Sequence, residues 1–462
     1  MMSNKITSDR LKESVAENLA ERILAITEKD LPGNLKNKCE ELLIDVIGLC
    51  VTARNENYIR SALAGWQEDG PCTLIGHARS ASVGSAAFIN GTAAHGEDFD
   101  DTFEGGPVHA GAVIVPAVLA VCELYRAEKP SALIGIAVGV ETICRLSLVA
   151  PKAVHRAGFH PTAVLGAMAA AAGVGAALRL KKNQIVNAFG IAGSMAGGII
   201  EYLAEGAWTK RLHPGWAAQS GLRAALLGRA EFIGPRTVFE GTHGLFHGFA
   251  HTNKGDYDAL VGDFGKRWAT ETLAFKPYPC GTMTHPYIDC ARRLAAKGIS
   301  PDDIEEMICE VAEGTVHRLW EPLADKQRPP NGYGAKFSTP YCIAAAFLHG
   351  SLGLDAFAND RVKDPRVLAL AAKIRYKIDP NNPYPNNYTG HIRAALRNGT
   401  IVEERQPHLR GGAHEPLTRK DIEEKFMANA QHGGWSPDRA EAALKLVRKV
   451  YEGLYDLSVL RG

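Results

Sequence analysis

The sequence predicts a mainly α protein: a large all-helical domain into which a smaller α+β domain is inserted. Three observations predict it. Residues 8–52 set apolar side chains at helical spacing among charged ones. From about 81 to 270 the chain is rich in Ala, Gly, Leu and Val and poor in strand-like alternation, the texture of helices packed closely through small residues. After about 272 alternating segments appear, and from Arg419 to Leu457 the helical period returns.

Taken in order, Leu19, Ile23, Leu24 and Ile26 form the apolar positions of one helix, and Leu42, Leu43, Val46 and Ile47 those of a second. Pro32-Gly33 separates them. The greasiest segments, 112–124 and 163–178, are interrupted by Pro116 or made mostly of Ala and Gly. Both fall short of the roughly 18 apolar residues of a membrane span, so they are expected as buried helices. Ile308–Val311 and Lys373–Ile378 alternate as strands do. His391–Arg397 and Thr400–Glu403 flank Asn398-Gly399, the pair expected in a type I′ hairpin turn, where both central residues take positive φ. Asp289–Leu294 and Pro340–Leu348 suit helices. The expected boundaries are a helical domain over 1–272, an α+β domain over 273–405, and C-terminal helices over 406–462 that return to the first domain.

Composition removes several functions. The 462 residues carry a formal net charge of +1, which argues against nucleic acid as a partner, since phosphate binding needs a basic face. The N-terminal MMSNKITSDRLKES has no apolar core and reads as no secretory signal. Nine cysteines form no CxxC pair, and their number is odd. A disulfide framework, a structural zinc and a closely ligated iron–sulfur cluster are all disfavoured. Reduced thiols in a cytoplasm fit this usage. The P-loop, the strand–GxGxxG–helix unit and the GxSxG elbow are absent from the sequence.

Five segments carry chemistry. Residues 95–111, HGEDFDDTFEGGPVHAG, hold two His, three Asp and two Glu with no Lys or Arg. Asp98, Asp100, Asp101, His95 and His109 have the ligand types of a divalent-metal site, but their spacing matches no standard motif. A helix cap explains one Asp; a site that exchanges protons between carboxylate and imidazole explains more. His160 precedes Pro161 at a helix entrance, as a cap, a core residue or a functional one. Lys210-Arg211 interrupts an apolar region, as surface cations or a buried anion site. Phe275–His285 spans the change of composition, as a linker or a cleft wall. Lys336–Tyr341 opens a helix, where Tyr341 is core or offers its hydroxyl. Together these groups suit proton transfer at carbon in an anionic substrate.

Five ordered motifs, GTAAHGEDFDDT, GFHPTAVLG, TKRLHPG, FKPYPC with its following MTH, and AKFSTPYCIAAA, resemble those of the MmgE/PrpD family over nearly the whole chain. That family includes 2-methylcitrate dehydratase, cis-aconitate decarboxylase and iminodisuccinate epimerase. The resemblance implies a large helical domain with an inserted α+β lid, a homodimer, and a site in the interdomain cleft that requires no metal or organic cofactor. It carries the family's active-site Asp, Thr and His onto Asp98, Thr102 and His109. The His-Pro histidine falls on His160, the two lysines on Lys210 and Lys276, and the tyrosine on Tyr341. The spacer before His109 is one residue longer than in the decarboxylase branch. Where the decarboxylases carry a His shortly after the second lysine, this chain has Cys280-Gly281.

The expected activity is that of a cytoplasmic hydro-lyase, a dehydratase acting on a small di- or tricarboxylate such as 2-methylcitrate. Asp98, His109, His160, Lys210 and Tyr341 are the expected catalytic residues; Thr102, Arg211, Lys276 and His285 are expected to bind substrate, and no residue to bind metal. An isomerase or epimerase, or a decarboxylase, would use the same site. A non-catalytic carboxylate-binding protein and a metal-dependent hydro-lyase are the readings of other kinds.

Overall fold

The computed structural model describes residues 13–106, 108–449, 451 and 456–462. The start of the expected first helical stretch and residues 1–12 of the N-terminal segment read as no signal lie outside the described residues, as does Pro107. The chain is mainly α, with a small mixed sheet toward its C-terminal end.

The first helix, Val15–Leu24, starts where a capping box says it should. Ser14 Oγ accepts the Glu17 N–H, and the Glu17 carboxylate accepts the Ser14 N–H. The Gly33–Ala53 helix follows Pro32 and buries most of its length. Pro116 sits inside the Gly111–Tyr125 helix, and Pro161 opens the Pro161–Ala177 helix at its first turn, where a missing N–H costs nothing. Residues 131–149, outside both of the greasiest segments, form the one described helix long and apolar enough to cross a membrane. It is buried in the protein and carries a polar anchor. Glu141 pairs with Arg145 at 2.5 Å and accepts the Ala269 and Thr270 N–H groups, which ties down the segment leading to Lys276.

Two hydrophobic cores result. The first gathers side chains from Ala16 to Phe275 and again from Ile422 to Leu460. The second draws on residues from Tyr278 to Ala394. The C-terminal helices Arg419–His432 and Pro437–Val447 supply the later part of the first core. The second core is built on a four-stranded sheet, ordered Ile374–Ile378, Ile304–Val311, Gly390–Leu396, Ile401–Gln406, with only the first pair parallel. The His285–Ala296 helix covers this sheet, and the Thr339–His349 helix packs on that helix.

The hairpin between the last two strands differs from the expected type I′ turn. Leu396 bonds Thr400, three residues bridge them, and only Gly399 takes positive φ, at 84°. This is the geometry of a three-residue link ending in a left-handed glycine; Asn398 keeps an ordinary φ.

Two local devices place the functional residues. The Val83–Gly96 and Thr209–Arg229 helices cross at Gly91 and Gly215. A Cβ on Gly91 would come 2.7 Å from the Gly215 Cα, and one on Gly215 would strike the Phe88 carbonyl and the Thr92 hydroxyl. The crossing is therefore backbone on backbone, and it brings the start of one helix to the segment after the other. The second device is a two-residue antiparallel ladder, Thr102 opposite Ala274 and Phe103 opposite Leu273. It seats Lys276, two residues further on, beside the acidic stretch.

Gly215→Val is expected to lower stability by about 1–3 kcal/mol, the range for overpacking a tight contact, read as a falling Tm and chemical midpoint. Unchanged stability would mean that the helices do not meet at this point.

Candidate active site

A cavity of about 600 Å³ opens between the two cores, inside the range typical of small-molecule sites. Asp98, Thr102, His109, His160, Lys210 and Lys276 line it from the helical side, and Gly281, Arg318 and Tyr333 from the other. Six of the nine sequence-predicted site residues therefore meet there, although 178 positions separate Asp98 from Lys276.

Asp98 is the centre of the arrangement. It follows the end of the Val83–Gly96 helix with φ at 55°, a left-handed conformation that few non-glycine residues adopt and Asp tolerates better than most. That turn lets its backbone and side chain point the same way. Lys276 Nζ donates to the Asp98 carbonyl at 2.9 Å and to Oδ1 at 3.0 Å, and Lys210 Nζ donates to the same Oδ1 at 2.9 Å. Burial disfavours the charged carboxylate, but the two ammonium groups outweigh it and hold Asp98 well below the usual carboxylate range. Burial would likewise discharge Lys210; Asp98 opposes this and raises its pKa. The cluster is a fixed ion triad, and Asp98 is not poised to accept a proton. Its neighbour Glu97 holds a second set of cations: Lys336 Nζ at 2.6 Å and Arg211 at 3.9 Å.

The imidazoles are held uncharged. Burial, joined by the Lys276 and Lys210 charges, brings His109 down to about 3 against the pull of Asp100. Burial and its imidazole neighbours push His160 well below its ordinary value. His109 Nδ1 lies 2.7 Å from the Asp101 carbonyl. A carbonyl only accepts, so Nδ1 carries the proton and Nε2 offers its lone pair. His95 repeats the pattern one layer deeper, with Nδ1 at 2.7 Å from Asp100 and Nε2 buried without a partner. His160 Nδ1 meets His213 Nδ1 at 3.2 Å, so one of those two nitrogens must donate. Asp101 accepts the Ala110 and Gly111 N–H groups at 2.9 Å each, at the start of the Gly111–Tyr125 helix. The acidic stretch thus divides its work between ion triad, histidine orientation and helix cap.

Three predicted residues stand elsewhere. Arg211 is adjacent to Lys210 but points to another face of the helix, wedged between the Tyr58 and Tyr333 rings. Tyr341 is buried, and its hydroxyl donates to the Ala356 carbonyl at 2.5 Å; it does not line the cavity. His285 is fully buried, with Nε2 3.2 Å from the Cys280 carbonyl and its ring against Tyr278. Cavity residues outside the predicted set include Tyr202, Arg318 and Tyr333. Burial pushes Tyr202 up to about 12, so it is a neutral hydroxyl. Arg318 lies outside all five motifs, and no sequence signal marked it.

His95, His109 and His160 present ligand atoms within 4.8 Å of one another, a cluster of a residue type that binds transition metals. The two lysines beside them disfavour a second, divalent positive charge.

Comparison with known proteins follows the same lines. The MmgE/PrpD N-terminal domain family model matches residues 17–258 and the MmgE/PrpD C-terminal domain model residues 278–450. Cis-aconitate decarboxylase of Mus musculus is 30% identical over 391 residues, 81% of this chain and 77% of the relative. A cis-aconitate decarboxylase-like protein of Aspergillus oryzae is 26% identical, covering 91% of both chains. The cis-aconitate decarboxylase of Aspergillus terreus is 24% identical, over 93% of this chain and 92% of its own.

Asp98→Asn leaves two buried ammonium groups facing a neutral amide. Breaking a buried pair in this way costs about 3–5 kcal/mol, to be read from denaturant unfolding at pH 7; a loss within error would refute the triad. Stability of the wild-type protein is expected to fall as pH drops from about 6.5 toward 3. In that window the unfolded chain protonates His109, ordinarily near 6.5, while the folded chain resists until about 3. His109→Asn should flatten part of this fall, and parallel pH profiles for both proteins would refute the assignment.

Proposed function

This chain belongs to the MmgE/PrpD family, and on that premise we propose that it is a lyase acting on a small di- or tricarboxylate by proton transfer next to a carboxylate. The observation that carries the reading is a pair of uncharged imidazoles, His109 and His160, sharing one cavity with the Lys210–Asp98–Lys276 triad. Two ammonium groups share one carboxylate there, which leaves positive charge for a substrate anion. The free Nε2 of His109 takes the proton next to the bound carboxylate, and His160 works on the same face of the cavity. Lys210 and Lys276 hold the carboxylate whose charge grows as the C–H bond breaks. Thr102 offers a hydroxyl beside them. The leaving hydroxyl departs as water, with its proton supplied by a neighbouring acid. Tyr202, a neutral hydroxyl on the cavity wall, is the group we assign to that step.

Within the lyases, elimination of water from an acid such as 2-methylcitrate is the reaction we favour. Gly281 lines the cavity and Cys280 lies buried beside it, so the imidazole expected there in a decarboxylase is missing. Decarboxylation of a cis-aconitate-like acid is the second reading, favoured by the names of the relatives. Epimerisation starts with the same proton abstraction. In this reading the chemistry needs no metal, because the lysines supply the positive charge. The unit built on the second core serves as an inserted lid, supported by the return of Ile422, Phe426, Leu444, Val447 and Leu460 to the first core. The nine free, buried cysteines support a reducing compartment, the cytoplasm. A homodimer is supported by Ile199, Leu212 and Trp216, exposed apolar side chains around one surface hollow.

The test is turnover of citrate, 2-methylcitrate, aconitate isomers, tartrate and iminodisuccinate, followed by NMR in deuterated water. Loss of water, loss of carbon dioxide and bare deuterium exchange separate the three reactions. His109→Ala and His160→Ala should each lower the rate by about 10²–10⁴. Near-full activity in both variants would overturn the mechanism, and loss of activity on exhaustive chelation would overturn its metal independence.

A further inference from the structure

The cations around the cavity differ in one respect. Lys210 and Lys276 are both bound by Asp98. Lys326 donates to the Arg318 and Phe337 carbonyls at 2.7 and 2.9 Å. Arg318 has no such anchor. Its Nε is buried without a partner, and no hydrogen bond or ion pair from its guanidinium is found among the described residues. Two buried arginines contrast with this half-buried one: Arg145 is held by Glu141 and Asp263, and Arg211, whose Nε is also unpaired, is sandwiched by two tyrosines beside Glu97. A second orphan lines the cavity nearer the triad: Tyr333, whose buried hydroxyl has no partner and feels the charges of Asp98 and Lys276.

A buried donor without an acceptor is expensive, and native structures leave few of them. An unpaired donor on a cavity wall marks a place where a ligand supplies the acceptor. The partner that suits a guanidinium fork is a carboxylate, which takes two parallel N–H bonds. Arg318 ends the short Glu313–Leu319 helix, in the part of the chain that builds the second core. Its charge reaches His155, Tyr202 and Tyr388, all of which line the cavity. Lys210 and Lys276 belong to the opposite, helical wall. The cavity therefore carries positive charge in two separate places, one built into the triad and one left open.

We propose that Arg318 binds a second carboxylate of the substrate, distant from the one held by Lys210 and Lys276. Arg318 is a specificity-determining residue, and it selects acids with a carboxylate at each end of the reacting carbons over acids with only one. This inference rests on the carboxylate reading of the site and adds to it which acids fit. Arg318 takes no part in proton transfer.

The test uses binding, so that it does not depend on knowing the reaction. Titration calorimetry measures propane-1,2,3-tricarboxylate and the monocarboxylate butyrate against wild-type protein, Arg318→Met and Arg318→Lys. Thermal unfolding of each variant checks that it folds. The tricarboxylate should bind wild type and lose 10- to 100-fold in affinity in Arg318→Met, with a smaller loss in Arg318→Lys, which keeps the charge but not the fork. Butyrate should bind all three proteins alike and weakly. Equal tricarboxylate affinity in wild type and Arg318→Met overturns this inference and leaves the carboxylate reading intact. An equal loss for both ligands also overturns it, because Arg318 would then not serve a separate carboxylate. Failure of wild type to bind the tricarboxylate overturns the carboxylate reading itself, and this inference with it. If Arg318→Met does not fold, the Arg318→Lys comparison decides alone.

Discussion

The shared Oδ1 of Asp98 is the contact on which the rest of the site depends. It fixes two ammonium groups that arrive by different routes, one on a helix that crosses through paired glycines and one just beyond a strand that pairs with the acidic stretch. Burial works against the charge of Lys210, and Asp98 opposes it. Glu97, one residue earlier, binds Lys336, which enters from the segment of the second core. Two consecutive carboxylates therefore join the helical body, the crossing and the sheet-bearing part in a single electrostatic knot. The left-handed φ of Asp98 is part of this device, since it turns the backbone carbonyl toward the same lysine that the side chain binds.

The same charges set the state of the imidazoles. Two ammonium groups close to His109 and His160 make a further positive charge unfavourable, so burial and Coulomb repulsion act together. A neutral imidazole is a base, and the hydrogen bond from His109 Nδ1 to a carbonyl decides which nitrogen is basic. Binding of a substrate carboxylate adds negative charge beside these rings and raises their proton affinity. The site is thus weakly basic when empty and more basic when occupied, which suits abstraction of a carbon-bound proton only from an acid already in place.

Much of this was legible in the sequence, for identifiable reasons. The helices were, because burial imposes a 3.6-residue period on Leu19, Ile23, Leu42 and Val46. The convergence of Asp98, Thr102, His109, His160, Lys210 and Lys276 was readable from motif resemblance alone; periodicity has no access to contacts across 178 positions. The failures share one cause, which is that adjacency in a motif does not fix the direction of a side chain. Lys210 and Arg211 are neighbours, yet successive helical residues point about 100° apart, so only one of them reaches the cavity. Tyr341 sits in a motif, but its hydroxyl is occupied by the Ala356 carbonyl. The Asn398-Gly399 pair announced a turn and misled about its type, because a single left-handed glycine is enough to close it. Arg318 had no signal, since an isolated arginine at the end of a short helix is commonplace.

The two walls of the cavity have different tasks. The helical wall holds the triad and the imidazoles, whose positions are fixed by ion pairs, a glycine crossing and a helix cap. None of these can shift without breaking another. The opposite wall offers Arg318 and Gly281, which are tied to little else in the site, and Tyr333, whose ring packs on Arg211. Chemistry common to dehydration, decarboxylation and epimerisation needs only the first wall, because all three work beside a bound carboxylate. What distinguishes the reactions is the position of the remaining functional groups of the substrate, and those are met by the second wall. A chain can therefore keep the proton-transfer apparatus and change its acid by altering a few side chains on the sheet-bearing part. This is why 30% identity to a cis-aconitate decarboxylase identifies the family better than it identifies the substrate.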